Sequence, residues 1–310
     1  MLDLVRIPTA RELYFPSSPH PPDQLREMER QFFGALQMRN GTCKLTYPHR
    51  LDDLNDLVLG LLPPTRPLRI MDVGASSGIS TLEWSRHLDE HSITHTITAS
   101  DIGLTAFLVS FGRHFHVLVD PGGYPLQYEL YGHAVPNPPA RRHLPFVWPL
   151  LALLRAGLMI TFNPSTYVDS AQDGMHHWWR RRRIALVSPQ LMNDQRIELL
   201  EEDVTTNTTL QRQFDVVRAA NLLNRAYFSE DRLARIGAIL RDRLVPGGLL
   251  IVCTTTGDCR REGETARPND GTIFALRPSG ELEVVDRIGA GSVVEDILLG
   301  PGPATRPAGP

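Results

Sequence analysis

Four polar side chains lie where strand-like apolar runs of the sequence end: Asp72, Asp101, Asp203 and Asn221. The carboxyl ends of parallel strands meet at one edge of a sheet, and ligands of such sheets bind there, so one crevice is expected to collect these residues. Asp101 follows Gly78 by 23 positions (101 − 78), a spacing typical of an acid that binds both hydroxyls of a ribose. The alternative for Asp101 is a turn-initiating aspartate before Gly103.

The segment Leu68–Ser80, LRIMDVGASSGIS, connects the first of these strands to a helical pattern. Gly74 and Gly78 frame a tight turn that lets a ligand approach the backbone with no Cβ in the way. Ser76 and Ser77 suit the cap of the helix, with backbone N–H groups that point into the crevice. The pattern therefore predicts a nucleotide-like ligand at a helix N-terminus.

The same loop lacks the features of phosphate-binding sites. It has no Gly-Lys-Ser/Thr, which excludes a triphosphate P-loop, and Lys44 is the only lysine in the chain. The spacing Gly74-x-x-x-Gly78 also differs from the Gly-x-Gly-x-x-Gly of nicotinamide sites, which disfavours a dehydrogenase. An acid before the first glycine suits a ligand with an ammonium group and no phosphates. Asp72 is expected to contact that ammonium, or else to cap the loop.

The composition is that of a globular protein. The chain has 310 residues, of which 42% are hydrophobic and 22% charged, and its net charge of −3 gives no general attraction to nucleic acid. Cys43, Cys253 and Cys259 show neither disulfide nor metal spacing, which favours a reducing, cytoplasmic compartment. Cys253 lies in a predicted buried strand as a small apolar filler.

Strands alternate with helices from Leu68 onward, which predicts an α/β fold with a doubly wound, mostly parallel sheet. Ser229 is the expected N-cap of the helix that precedes the last parallel strand. A C-terminal antiparallel hairpin is expected at one edge, through the turn at Pro278-Ser279-Gly280. We expect a helical lead-in at 1–65, a main domain at 66–299 with a large insertion at 104–184 after strand two, and a disordered Gly/Pro-rich tail at 300–310.

In this order of elements the chain resembles the class I S-adenosylmethionine-dependent methyltransferases, over roughly residues 66–103 and 185–290. The motifs are MDVGASSG at Met71–Gly78, ASD at Ala99–Asp101, LLEEDV at Leu199–Val204 and LVPGGLLIV at Leu244–Val252. The resemblance implies a seven-stranded, Rossmann-like methyltransferase sheet with S-adenosyl-L-methionine as cofactor.

The segment Phe214–Ser229 is similar, within that superfamily, to one in chemotaxis-receptor glutamate methyltransferases, around residues 214–228. Ala220 stands where those enzymes carry Arg, and the segment that leads to Tyr227-Phe228 is two residues longer here than in those enzymes. The segment therefore supports the resemblance to the superfamily, but it does not imply that the substrate is a receptor glutamate.

The resemblance also implies a set of site residues. It places Asp203 near the adenine amino group, with Val204 donating a backbone N–H, whereas the alternative for Asp203 is a solvated acid. The expected cofactor-binding residues are Asp72, Gly74, Ala75, Ser76, Gly78, Asp101, Ile102, Asp203, Val204 and Asn221.

Methyl transfer from a sulfonium needs mainly the positioning of the nucleophile, so the lack of an obvious catalytic dyad does not exclude an enzyme. Asn221 is the residue expected beside the transferred methyl. Tyr227 is a second catalytic candidate, and Arg218 is a weaker one because it can form a salt bridge at a strand end. The spacing of His87, His91 and His95 predicts no metal site, since His95 falls in a strand.

The insertion holds a predicted hairpin that turns at Asp120–Tyr124, an apolar segment at Leu144–Phe162 and the cluster HHWWRRRR at His176–Arg183. The apolar segment contains prolines and an arginine, which argues against a bilayer span. The alternatives are a lid or dimer surface over the acceptor site, or a peripheral membrane contact through 144–183. Single-stranded nucleic acid is a third alternative, because Trp beside Arg suits its bases and phosphates. One short cluster is little support for it, so no nucleic-acid partner is expected.

These patterns together predict a cytoplasmic methyltransferase, membrane-associated if the insertion contacts lipid. It would transfer a methyl group to a small-molecule, lipid or protein side-chain acceptor. The alternative is a regulatory protein of the same fold that binds the cofactor without turnover. The sequence does not indicate an oligomeric state.

Overall fold

The computed structural model describes residues 6–39, 41, 44, 46–62, 66–136, 153, 175–176, 179–206, 210–256 and 268–300. The chain divides into two compact units. The parallel-sheet unit comprises Tyr47–Ile102 and Gln190–Pro310, and the antiparallel-sheet unit comprises Met1–Thr46 and Gly103–Pro189. The division thus differs from the expected boundary at residue 65, because the first 46 residues belong with the insertion.

The helices and strands follow one another as α1 (Ala10–Tyr14), α2 (Pro22–Ala35), α3 (Asp52–Leu59), β1 (Leu68–Val73), α4 (Ile79–Glu90), β2 (His95–Asp101), β3 (Thr105–Phe111), β4 (Phe115–Val119), β5 (Pro125–Leu130), β6 (His133–Pro136), β7 (Met175–His176), β8 (Trp179–Ala185), α5 (Pro189–Met192), β9 (Ile197–Glu201), β10 (Phe214–Ala220), α6 (Glu230–Arg243), β11 (Leu244–Thr255), β12 (Asn269–Leu276), β13 (Leu282–Ile288) and α7 (Glu295–Leu299).

The sheet of the parallel-sheet unit has seven strands in the order β13-β12-β11-β10-β1-β2-β9. β11, β10, β1, β2 and β9 run parallel to one another, and β12 and β13 add the antiparallel hairpin at one edge. The predicted Rossmann-like α/β fold is confirmed. Because β1 lies between β10 and β2, the residues that end these three strands meet at one edge of the sheet.

Helices cover both faces of this sheet, because alternate residues of each buried strand point to opposite sides. On one face, Leu233, Ile236 and Leu240 of α6 pack on Val217 and Leu250. On the other face, residues of α3 and α4 join a second cluster with alternate residues of the same strands. β10 is buried along its whole length, which is the expected environment of a central parallel strand.

The sheet of the antiparallel-sheet unit has six strands in the order β6-β5-β4-β3-β8-β7. The predicted turn at Asp120–Tyr124 joins β4 to β5, with hydrogen bonds between its two end residues. Phe32 and Phe33 of α2 pack on Leu108 and Leu118, so residues expected to be a mere lead-in form the core of this unit. The remaining apolar segment at 144–162 lies outside the described residues, apart from residue 153.

No helix within the described ranges combines the length and apolarity needed to cross a bilayer. The predicted tail lies outside these ranges from residue 301 onward, and so do Cys43 and Cys259.

Candidate functional site

The loop between β1 and α4 turns through three left-handed residues, Gly74 (φ 76°), Ser76 (φ 57°) and Gly78 (φ 77°). The N–H groups of Gly74 and Ala75 both donate to the Ser100 carbonyl, at 2.8 and 3.0 Å. The N–H of Gly78 donates to the Ala75 carbonyl at 2.8 Å. Carbonyl groups of the protein therefore satisfy the amides of Gly74, Ala75 and Gly78.

The start of α4 also differs from the prediction. The N-cap is Gly78, with no side-chain capping bond, and not Ser76 or Ser77. A Cβ on Gly78 would overlap the Cδ1 of Leu191, and one on Gly74 would lie 3.6 Å from the Cδ1 of Leu222. The close approaches that these two glycines permit are therefore made by leucines, and the left-handed backbone is a second reason for glycine at both positions.

Asp101 ends β2 beside this loop, and its Oδ2 accepts the N–H of Ser76 at 2.8 Å. An ionised carboxylate offers about four lone-pair positions, so this bond is compatible with further hydroxyl donors. The loop therefore fixes the orientation of the carboxylate that the sequence assigned to a ribose.

The structure places Asp72, which was expected to contact a ligand ammonium or to cap the loop, against a cation of the chain itself. Its carboxylate is buried and forms a bidentate ion pair with Arg218, with distances of 2.9 and 2.7 Å. Oδ2 also accepts the hydroxyl of Thr81 at 2.6 Å. The guanidinium lies 4.1 Å from the ring centroid of Trp84 and donates to Asn55 at 3.2 Å. This network engages the Arg218 guanidinium inside the protein and joins β1 and β10 to α3 and α4.

Asn221 ends β10 in a left-handed conformation (φ 57°), and its side chain is bound at both ends of the amide. Its Oδ1 accepts the N–H of Thr255 at 2.7 Å, and its Nδ2 donates to the hydroxyl of the same residue at 3.2 Å. That hydroxyl donates in turn to Asn269 at 2.9 Å. Asn221, the residue expected beside a transferred methyl, therefore links the carboxyl ends of β10 and β11 through its side-chain amide.

The other predicted residues are spread around this edge of the sheet. Asp203 caps the turn after β9, because its Oδ1 accepts the N–H of Thr205 at 2.9 Å. The side chain of Val204 is buried in the core, whereas those of Ile102 and Tyr227 are two-thirds exposed, at 66% each. Tyr227 lies in the turn that follows β10, where its N–H donates to the carbonyl of Asn224.

Two serine hydroxyls next to the loop have no hydrogen-bond partner within the described residues: Ser77 Oγ and Ser100 Oγ. Both serines are fully buried. Buried hydroxyls are normally paired, so these two atoms mark a place where a polar partner is missing. The Asp101 carboxylate can accept hydrogen bonds and the two serine hydroxyls can donate or accept them, so these groups can hydrogen-bond the hydroxyls of a ribose.

Burial shifts the pKa of three titratable side chains in this unit. It raises the pKa of the Cys253 thiol to about 12, so this cysteine is a protonated apolar filler, as predicted, and not a nucleophile. It raises the pKa of Glu83, whose carboxylate accepts the N–H of His49. It also lowers the pKa of Arg50, which donates to the Ser80 hydroxyl at the start of α4. Across the described residues, no three His, Cys, Asp or Glu side chains are grouped to hold a metal ion.

Sequence reasoning missed the partners that engage Asp72 and Asn221. The pairing of Asp72 with Arg218 had one signal in the sequence, because each is a charged residue inside an otherwise apolar strand. They lie directly opposite each other in the β1–β10 register. The bond between Asn221 and Thr255 had no comparable signal, because it depends on how far β11 extends past β10.

The chain matches no protein-family model and no curated protein. Among solved structures it is similar to the CurJ carbon methyltransferase, at 15% identity over 68% of this chain and 36% of that chain, with a TM-score of 0.35. It is similar to an S-adenosylmethionine-dependent methyltransferase from Mesorhizobium loti, at 15% identity over 64% and 52% of the two chains, with a TM-score of 0.28. It is also similar to the N-methyltransferase NodS from Bradyrhizobium japonicum, solved with S-adenosyl-L-homocysteine, at 12% identity over 65% and 60%, with a TM-score of 0.28.

In each case the match spans less than two thirds of the other chain's own length. The functional assignment therefore depends on the residues of this chain.

Proposed function

We propose that the parallel-sheet unit binds S-adenosyl-L-methionine at the carboxyl ends of β1, β2 and β9 and transfers its methyl group to an acceptor. The observation that carries the proposal is the pairing of the β1–α4 loop with Asp101. Ser76 donates its N–H to the Asp101 carboxylate, while the other bonded loop amides are satisfied by protein carbonyls. This bond holds the Asp101 carboxylate at the end of β2, where it can accept hydrogen bonds from hydroxyl groups.

Asp101 would accept hydrogen bonds from the two ribose hydroxyls, in the orientation that the Ser76 N–H imposes on it. Asp203 would lie toward the adenine, where the turn that it caps holds its carboxylate. Asn221 would form the rim of the crevice through its link to Thr255, and this role replaces direct contact with the methyl.

When bound, the cofactor supplies an activated methyl on a positively charged sulfur, so the transfer is an in-line displacement by an acceptor nucleophile. The protein's contribution is then to hold the two reactants in line and to exclude water. The thiol of Cys253 takes no part, because its raised pKa keeps it protonated. An acceptor that carries a proton at neutral pH would lose it to solvent or to a residue of the acceptor pocket.

Calorimetric titration of the full chain with S-adenosyl-L-homocysteine tests the proposal. The variant Asp101→Asn removes the charge with little change of shape, and its dissociation constant is expected to rise by about tenfold or more, because hydrogen bonds to charged groups contribute ~1.5–3 kcal/mol. Asp231→Asn is the matched control, since Asp231 is an exposed aspartate on α6. Equal affinity of wild type and Asp101→Asn, or preferential binding of NAD, would contradict the assignment.

Incubation with labelled S-adenosyl-L-methionine then separates an enzyme from a regulatory protein. Transfer of label to a small-molecule, lipid or protein fraction that is lost in Asp101→Asn would support the enzyme. Cofactor binding with no transfer to any fraction would favour the non-catalytic alternative.

A further inference from the structure

Two strand connections and the start of a third strand lie at one end of the antiparallel sheet. The β3–β4 turn (111–115) and the β5–β6 turn (130–133) are adjacent, because Phe115 pairs with Leu130. The first residues of β8 (179–180) lie beside them, because Arg180 pairs with Ser110 at the end of β3. We call these eleven residues the hairpin end.

The composition of the hairpin end is unlike that of an ordinary set of turns. Its three segments read FGRHF, LYGH and WR, and none of their residues is an aspartate or a glutamate. The side chains of Tyr131 and Leu130 are 69% and 45% exposed. Arg113, His114 and Arg180 are exposed as well. Large apolar side chains therefore lie among basic ones, with no acidic side chain among these eleven residues.

The two longer turns are fixed to each other. The N–H of Tyr131 donates to the His114 carbonyl at 2.8 Å, and the two rings stack with centroids 4.8 Å apart. Tyr131 has a left-handed backbone (φ 50°), which the neighbouring turn must stabilise. Phe111 and Phe115 form a second ring pair at 5.6 Å. The exposed side chains are thus presented by an ordered surface.

The remaining arginines of the basic cluster do not form one patch, because β8 directs them alternately to its two faces. Arg181 is buried over the Phe107 ring at 4.7 Å, and Arg183 donates to Thr105 at 3.0 Å. Arg182 lies over the ring of Phe15 at 4.8 Å. A contact through the whole run Arg180–Arg183 is therefore not available as one surface.

We propose that the hairpin end docks on the surface of an anionic lipid bilayer. Leu130 and Tyr131 would enter the boundary between headgroups and acyl chains, where amphipathic aromatic rings are favoured. Arg113 and Arg180 would lie against anionic headgroups, and no carboxylate among the eleven residues of the hairpin end would oppose this attraction. Nucleic acid fits less well, since it requires cations that track a phosphate backbone. A second copy of this surface would repel the first by charge.

Co-sedimentation of the full chain with phosphatidylcholine vesicles, made with and without phosphatidylserine, tests this proposal. Binding is expected only with phosphatidylserine and is expected to weaken as salt screens the charges. Arg113→Gln should lower the partition coefficient about fivefold. Leu130→Ser combined with Tyr131→Ser should lower it about tenfold or more. Arg113→Gln changes an exposed side chain only, so its effect does not depend on refolding of the turns.

Arg235→Gln and Val293→Ser are the controls, because they remove an exposed arginine and an exposed apolar side chain from the parallel-sheet unit. Both should bind vesicles like the wild type.

No binding, equal binding to neutral vesicles, or wild-type binding by the hairpin variants would overturn the proposal. Tighter binding of single-stranded RNA, lost in the same variants, would also overturn it in favour of nucleic acid. Affinity for S-adenosyl-L-homocysteine should be unchanged in all these variants, so a failure here is distinct from a failure of the proposed function.

Discussion

Replacing Arg218 with methionine should destabilise the parallel-sheet unit severely. The substitution removes the bidentate contact with Asp72 and the stacking on Trp84, and it leaves the Asp72 carboxylate with the Thr81 hydroxyl. Both members of the pair are buried, with side-chain exposures of 1% and 5%. Breaking such a pair by removing one partner costs about 3–5 kcal/mol, because an uncompensated charge remains inside the protein.

Urea denaturation followed by circular dichroism measures this loss. With a denaturant slope of ~2 kcal/mol per molar, a loss of that size lowers the midpoint by about 2 M. Arg225→Met is the matched control. Arg225 also contacts two carboxylates, those of Asp296 and Glu230, but it lies at the surface, so its loss should cost less than about 1 kcal/mol.

The double variant Asp72→Leu with Arg218→Met separates the cost of the stranded charge from the cost of lost packing. Apolar residues of similar volume often replace a buried pair at no net cost, so the double variant should recover most of the stability that the single variant loses. Two results would refute the reasoning: a loss below about 1 kcal/mol in Arg218→Met, or a double variant that is no more stable than the single one.

Three smaller predictions concern other parts of the same unit. Gly78→Ala should cost about 1–3 kcal/mol in the same assay, and adding Leu191→Ala should recover only part of it, because the left-handed strain remains. The Arg196 guanidinium holds the pKa of Asp194 at about 2, so this carboxylate stabilises the fold above its ordinary pKa of 3.8 and stops doing so as the pH falls through 2. Asp194→Asn should therefore lose about 1 kcal/mol at pH 7, after allowance for solvent screening, and match the wild type below pH 2. Burial raises the pKa of Glu83, so stability should decline as the pH rises through that raised value, and Glu83→Gln should abolish this part of a pH titration of unfolding.

The parallel sheet could be predicted from sequence because its information is local. Each strand from Leu68 onward is a short apolar run followed by a turn or a capped helix, and each can be recognised without its neighbours. The strand order does not follow from these local signals alone, because β2 and β9 are neighbours in the sheet although the strands β3 to β8 lie between them in the chain.

The antiparallel sheet could be predicted only at its central hairpin, β4–β5, where the turn residues are adjacent in the sequence. β3 pairs with β8, and their partners Thr105 and Ala185 are 80 positions apart (185 − 105). A run of four arginines also carries no strand signal, although Arg181 and Arg182 lie over aromatic rings and Arg183 donates to the Thr105 hydroxyl. Pairings of this kind are set by tertiary packing, which outweighs local propensity.

The candidate site was predictable in position and not in the role of every side chain. The strand ends identify the edge of the sheet, and Asp101 lies there next to the loop as expected. Sequence cannot tell a carboxylate that faces a ligand from one that faces a buried cation on the next strand. That difference depends on register and on the face to which each side chain points, as Asp72 and Arg218 illustrate.

The polar residues around the crevice therefore have two different tasks. The Asp72–Arg218 pair joins β1 to β10 and, through Asn55 and Thr81, to α3 and α4. It therefore holds the two elements that flank the β1–α4 loop. A site whose supporting groups are already hydrogen-bonded loses less entropy when a ligand binds, and it can place a reacting group more accurately. The residues committed to this support cannot also bind the ligand. In the proposed function, recognition of the adenosyl group would depend on Asp101, the carboxylate that the loop itself orients at the end of β2.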